Sequence, residues 1–142
     1  MKPIILIFIL SATFLSGCSC SKKEETWGQF EIMKMALSKE PSIELVFVPD
    51  TPDGRERRVL CGQYGQDGCV EGSGKRVKVR MVEVLVIQFE KQKQACLAAL
   101  AINQWYARNW LFDDVTNEPV LIDFVKNVFS AKKPESAEEC DF

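Results

Sequence analysis

The stretch RVKVRMVEVLVIQF, from Arg76 to Phe89, decides the fold. Its odd positions read Val77, Val79, Met81, Glu83, Leu85, Ile87 and Phe89, apolar except for one. Its even positions begin with Lys78 and Arg80, turn to Val82, Val84 and Val86, and end at Gln88. Side chains alternate between faces along a strand, so a run that is apolar at both parities reads as a strand covered on both sides. The run therefore predicts a long central strand. It exceeds the usual strand length, which points to a bulge or bend near Glu83.

Working upstream, Ile43 to Val48 is rich in β-branched residues and sets Ile43, Leu45 and Phe47 on one face of a strand. Pro49 to Gly54 is turn chemistry, because Pro fixes φ and Gly permits positive φ. Val59 to Tyr64 is a candidate second strand, followed by a glycine-crowded loop over 62–75. Before these, Thr26-Trp27-Gly28-Gln29 has the form of a capping box. Phe30, Met33 and Leu37 then recur on one helix face, and Pro41 disfavours helix at Glu40, so the spacing predicts a helix over 27–39.

Downstream, Lys91 to Phe112 is rich in Ala and Leu and reads as one helix, with Leu97, Leu100, Ala101, Ile102 and Trp105 on a broad apolar surface. Asn117-Glu118-Pro119 opens another, with Pro at the first helical position. Leu121, Phe124, Val125, Val128 and Phe129 carry it to about Ala131. Lys132 and Lys133 suit the negative helix end and Pro134 stops it. The acidic tail 135–142 is expected to be loose. The order of elements predicts an α+β fold: a small antiparallel sheet packed by about three helices, in a single domain over 26–134.

A chain of 142 residues is one domain in length, and 46% apolar with 27% charged residues is a globular composition. The net charge of −2 gives no drive toward nucleic acid. Histidine is absent. That removes Ser-His-Asp and Cys-His catalytic pairs, imidazole metal ligands and histidine pH switches. Any enzyme here would work through carboxylates, Lys, Tyr or Cys.

The N-terminus carries the one specific motif. Lys2 is followed by the apolar run Ile4 to Leu10, extended by Ala12, Phe14 and Leu15, too short to span a bilayer as a helix. It ends in Leu15-Ser16-Gly17-Cys18, which resembles the lipobox of bacterial lipoproteins. The resemblance covers residues 1–18. It implies a signal peptide over 1–17, lipidation of Cys18 and a tether over 18–25. Ser19, rather than Asp, after Cys18 implies the outer membrane, facing the periplasm, if the cell is Gram-negative. Two or three acyl chains anchor stably.

Export favours disulfides. Cys61 with Cys69, and Cys96 with Cys140, is the pairing expected first, although cysteine positions alone do not fix connectivity; Cys20 is then left over. No C-x-x-C occurs, and the cysteine spacing with no histidine does not build a metal site, so neither metal nor cofactor is expected. Gly72-Ser73-Gly74-Lys75 lacks the spacing and the hydroxyl residue of a phosphate loop and reads as a turn. Arg55, Arg57, Arg58, Lys75, Arg76, Lys78 and Arg80 are candidate anion-binding residues, weighed against a solvated sheet edge that discourages unwanted pairing. Glu83 is expected to pair with an arginine or to be turned outward by a bulge, and no second carboxylate marks it as a catalytic acid. Trp105, Tyr106 and Trp110 are expected in helix packing rather than on a stacking surface.

These observations lead to an expectation of a non-enzymatic, membrane-anchored envelope lipoprotein that holds or assembles a protein partner. The alternative is a binding module for a small ligand, cell wall or anionic lipid that uses the basic residues. An enzyme ranks third.

Overall fold

The computed structural model of the chain describes residues 24–65 and 67–142. The expected signal peptide over 1–17, Cys18 and Cys20 lie outside the described residues. Among the described residues are four α-helices and one five-stranded antiparallel sheet, so the fold is α+β as the element order indicates.

The stretch Arg76 to Phe89 is not one strand but a hairpin. β2 (Lys75–Val79) turns through Arg80 and Met81 into β3 (Val82–Gln88), with Val79 opposite Val82 and Lys75 opposite Val86. Arg80 takes φ +57°, the left-handed geometry that two-residue hairpin loops require and that Gly or Asn usually marks. The break falls at Arg80, ahead of the expected bend at Glu83. β3 is indeed central. The strand order is β1-β2-β3-β5-β4, with β1 (Glu44–Leu45) at one edge and β4 (Trp105–Ala107) at the other.

Both faces of the sheet are covered. Val77, Val79, Val84, Val86 and Phe112 pack under α1 (Gln29–Lys39) and α4 (Pro119–Phe129). Leu85, Ile87, Leu111 and Tyr106 pack under α3 (Gln92–Ala101). Helix α3 lies close on β4 and β5 because the residues it buries, Ala95, Cys96, Ala98 and Ala99, are small.

Three expectations are corrected and a fourth is extended. The run 91–112 is a helix only to Ala101. Asn103, at φ +58°, closes it, its N–H reaching the Leu100 carbonyl (3.2 Å) while the Gln104 N–H reaches that of Ala99 (2.8 Å). The rest forms β4, a two-residue turn at Arg108-Asn109 and β5 (Trp110–Asp113). Residues 59–64 contain a 3₁₀ turn (Cys61–Gln63), and the turn after Pro49 contains a short helix α2 (Pro52–Glu56), capped by the Thr51 hydroxyl. Lys132 has a further part that the helix-end reading omits. It exchanges backbone hydrogen bonds with Tyr106 at 2.8 and 2.9 Å.

The acidic tail is not loose. Cys140 is wholly buried and bonded to Cys96, and Cys61 is bonded to Cys69, the pairing expected first. In the chain-entropy account, the 44-residue separation of the first bond corresponds to about 4 kcal/mol, against about 2.5 kcal/mol for the 8-residue loop.

Thr26 does not cap α1. The Gly28 N–H is taken instead by Glu31 Oε2 (2.7 Å), because Trp27 is drawn into the end of the sheet. Its N–H donates to Asn109 Oδ1 (2.7 Å), and its carbonyl accepts from Trp110 Nε1 (2.8 Å) and Gln88 Nε2 (3.2 Å). Glu25 pairs with Arg108 (2.6 Å), whose guanidinium also lies over the Trp27 ring. Glu24 Oε1 accepts from the Gln92 and Lys93 N–H groups at the start of α3. Residues 24–28 therefore form a strap that crosses the end of the sheet from the α3 layer to the α1 layer.

Candidate functional site

The structure gathers the seven candidate anion-binding residues around β2 but interleaves them with carboxylates. Arg55 and Arg58 share Asp50 at 2.9 and 2.8 Å. Arg57 and Arg76 converge on Glu83, each at 3.2 Å, so Glu83 has the arginine partners expected of it. Arg80 reaches Glu40 at 3.3 Å. Lys78 lies between Glu44 and Glu83 in the strand register. Lys75 differs: among the described residues it meets no carboxylate, and its ammonium donates to the Gly72 carbonyl (2.8 Å). Exposed pairs of this kind each contribute about 0–1 kcal/mol, and the shared carboxylates offset only part of the positive charge.

Next to this network lies a polar contact that the sequence did not signal. The Tyr64 hydroxyl donates to Asp113 Oδ2 (3.1 Å) under the α3 side of the sheet. Burial, then the Asp113 carboxylate, pushes the Tyr64 phenol far above its ordinary value. Asp114 is also raised, by desolvation and then by Asp113, while Arg76 acts in the other direction. The Tyr64–Asp113 bond fastens the 61–69 loop to the sheet. Trp110 and Tyr106 are buried core residues, on strands rather than a helix, and Trp105 is half-buried with the Lys126 ammonium over its ring (5.5 Å). Among the described residues no group of three or more Cys, Asp or Glu is placed to hold a metal ion.

The feature that stands out is apolar. Sequence spacing set Phe30, Met33 and Leu37 on the buried face of the first helix, and Ile43, Leu45 and Phe47 inside the first strand. The structure buries Ile43 as expected, but on α1 it buries Ile32 and Ala36 instead. Phe30 is 80% exposed, Phe47 83%, Leu45 55% and Leu37 45%. Exposing large apolar side chains together, rather than singly, marks an interaction surface. Helix α1 contacts α4 but stands off from β1 and β2. Between them opens a groove of about 300 Å³ whose floor is Val77, Val84, Val86 and Trp110 and whose rim holds Phe30 and Leu45. Lys75 is the one charged side chain along it.

The groove runs beside the open edge of the sheet. Glu44 faces Lys78, Leu45 faces Val77, and the Val46 N–H reaches the Arg76 carbonyl (2.9 Å). In an antiparallel pair, hydrogen-bonded and non-bonded positions alternate. Glu44 and Val46 therefore turn their backbone groups toward β2, while those of Leu45 and Phe47 point outward. Phe47 lies just past the end of β1 and lines, with Leu45 and Lys75, a neighbouring hollow against Val59 and Leu60. The signal available in the sequence was a surplus: two candidate apolar faces, at 30–37 and 43–47, competing for one side of a small sheet. Compared with known protein families, characterised proteins and solved structures, the chain matches none of them, and its function is read from this surface.

Proposed function

We propose that this chain is a membrane-anchored envelope lipoprotein that binds and positions a protein partner without catalysing a reaction. The observation that carries the reading is the apolar groove rimmed by the exposed Phe30 and Leu45, with Leu37 and Phe47 exposed nearby in the chain, on a disulfide-bonded domain. The leader and the lipobox-like Leu15-Ser16-Gly17-Cys18 support the anchor, and the two disulfides are in keeping with an exported domain. Asp50, Glu83 and Glu40 divide the arginines into separate ion pairs rather than one open cluster, which favours partner binding over an anion-binding module.

The test is crosslinking of the tagged protein in its own cells, with Cys18→Ala as the unanchored control. The expected result is one reproducible protein neighbour, captured when anchored and lost or weakened without the lipid site. Recovery of glycan or lipid with no protein neighbour would move the assignment to a ligand-binding module.

A further inference from the structure

Resting on that reading, we propose that the partner docks as an extended, apolar segment that adds a strand to β1 and sets an acidic side chain on Lys75. Three observations converge on this occupant. The outward N–H and C=O groups of Leu45 and Phe47 are those of an open sheet edge, which an acyl chain has no groups to satisfy and an extended peptide does. A strand added there places alternate side chains over the groove beside Leu45 and Phe30, so the apolar rim reads every second residue of the segment. The groove's single charge is the Lys75 ammonium, whose one hydrogen bond is to a carbonyl, so a carboxylate is the complementary group.

The position of Phe47 makes the idea separable from folding. Its side chain is mostly exposed, and with the Val46 N–H turned to Arg76 the alternation of an extended chain turns the Phe47 N–H away from β2, so Phe47→Pro removes an outward donor while keeping the ladder to β2 intact. Phe47→Ala removes the ring and keeps the donor.

The test uses the full chain in phosphatidylcholine vesicles and a blocked synthetic nonapeptide alternating Val and Thr with one central Asp. Peptide binding should slow amide exchange at Leu45 and Phe47 at least tenfold. Phe47→Pro should abolish that binding, and Phe47→Ala should weaken it severalfold. Replacing the peptide Asp by Lys should weaken binding at least fivefold, and Lys75→Glu should reverse the preference, an exchange that a folding defect cannot imitate. Binding that leaves the two amides unchanged, or that survives Phe47→Pro, would overturn the proposal. So would saturable binding of decanoate with none of the peptide, which would make the groove an acyl-chain site. Concentration-dependent protection of Leu45 and Phe47 without any peptide would overturn it in favour of a second copy of the chain. In cells, a partner still captured by the Phe47→Pro protein would overturn this docking mode and leave the anchored-assembly reading standing. Loss of every capture in the unsubstituted protein would fail that reading itself.

Discussion

The two ends of this domain are built on opposite terms. At the strapped end, the backbone groups of Trp27 find partners in Asn109, Trp110 and Gln88, and Asn109 is itself buried, with Nδ2 on the Phe89 carbonyl (2.9 Å). At the β1 edge, outward backbone groups and large apolar side chains are left to solvent. The first end spends its polar groups internally and becomes rigid; the second withholds them and becomes available. Stability and recognition are thus assigned to different parts of one small sheet, and substitutions should separate them.

The largest effect is expected where the chain is closed. Replacing Cys96 and Cys140 together by Ala should cost about 4 kcal/mol by denaturant unfolding and free the tail, while leaving exchange at Leu45 and Phe47 unchanged. A tail that stayed protected would break the contrast between the ends. Asn109→Ala comes next. It strands the Trp27 N–H and the Phe89 carbonyl, and should cost about 2–3 kcal/mol with faster exchange over 24–28. Tyr64→Phe should cost about 1 kcal/mol at neutral pH through the lost bond to Asp113. Because the folded-state value of Tyr64 is raised, its contribution is complete below about pH 10 and is lost as the pH rises beyond it, so the gap between the two proteins should narrow in alkaline unfolding curves. The smallest effect sharpens the comparison most. Phe47→Ala should shift stability by no more than about 0.5 kcal/mol, since the ring is exposed, yet weaken partner binding.

What the sequence made legible follows the range of the interactions. The double-sided apolar run showed that β3 is central, because burial on both faces leaves its mark residue by residue at 82–88. Pro119 and the Leu121, Phe124, Val125, Phe129 spacing located α4 for the same reason. Turns that use ordinary residues were invisible. Arg80 and Arg108 take positive φ without being glycine, so one hairpin read as a single strand and another as the end of a helix. Asn103 was the available sign that the helix stopped, and the Ala-rich run concealed it. The candidate site was harder still. Which of two apolar stripes on α1 turned inward depended on Trp27 being drawn to Asn109, a contact across 82 positions. No local pattern carries that information.

The strap has a mechanical consequence. Its hydrogen bonds end on the start of α3 at Gln92 and Lys93, and on Gln88, Asn109 and Trp110, at the ends of β3 and β5 and in the turn that leads into β5. A pull on the chain ahead of Glu24 is therefore delivered to the middle of the domain rather than to the first turn of α1, which would peel away under the same load. A displacement applied there reaches the β1 edge through the hydrogen-bonded strands of the sheet, and carries the groove with it.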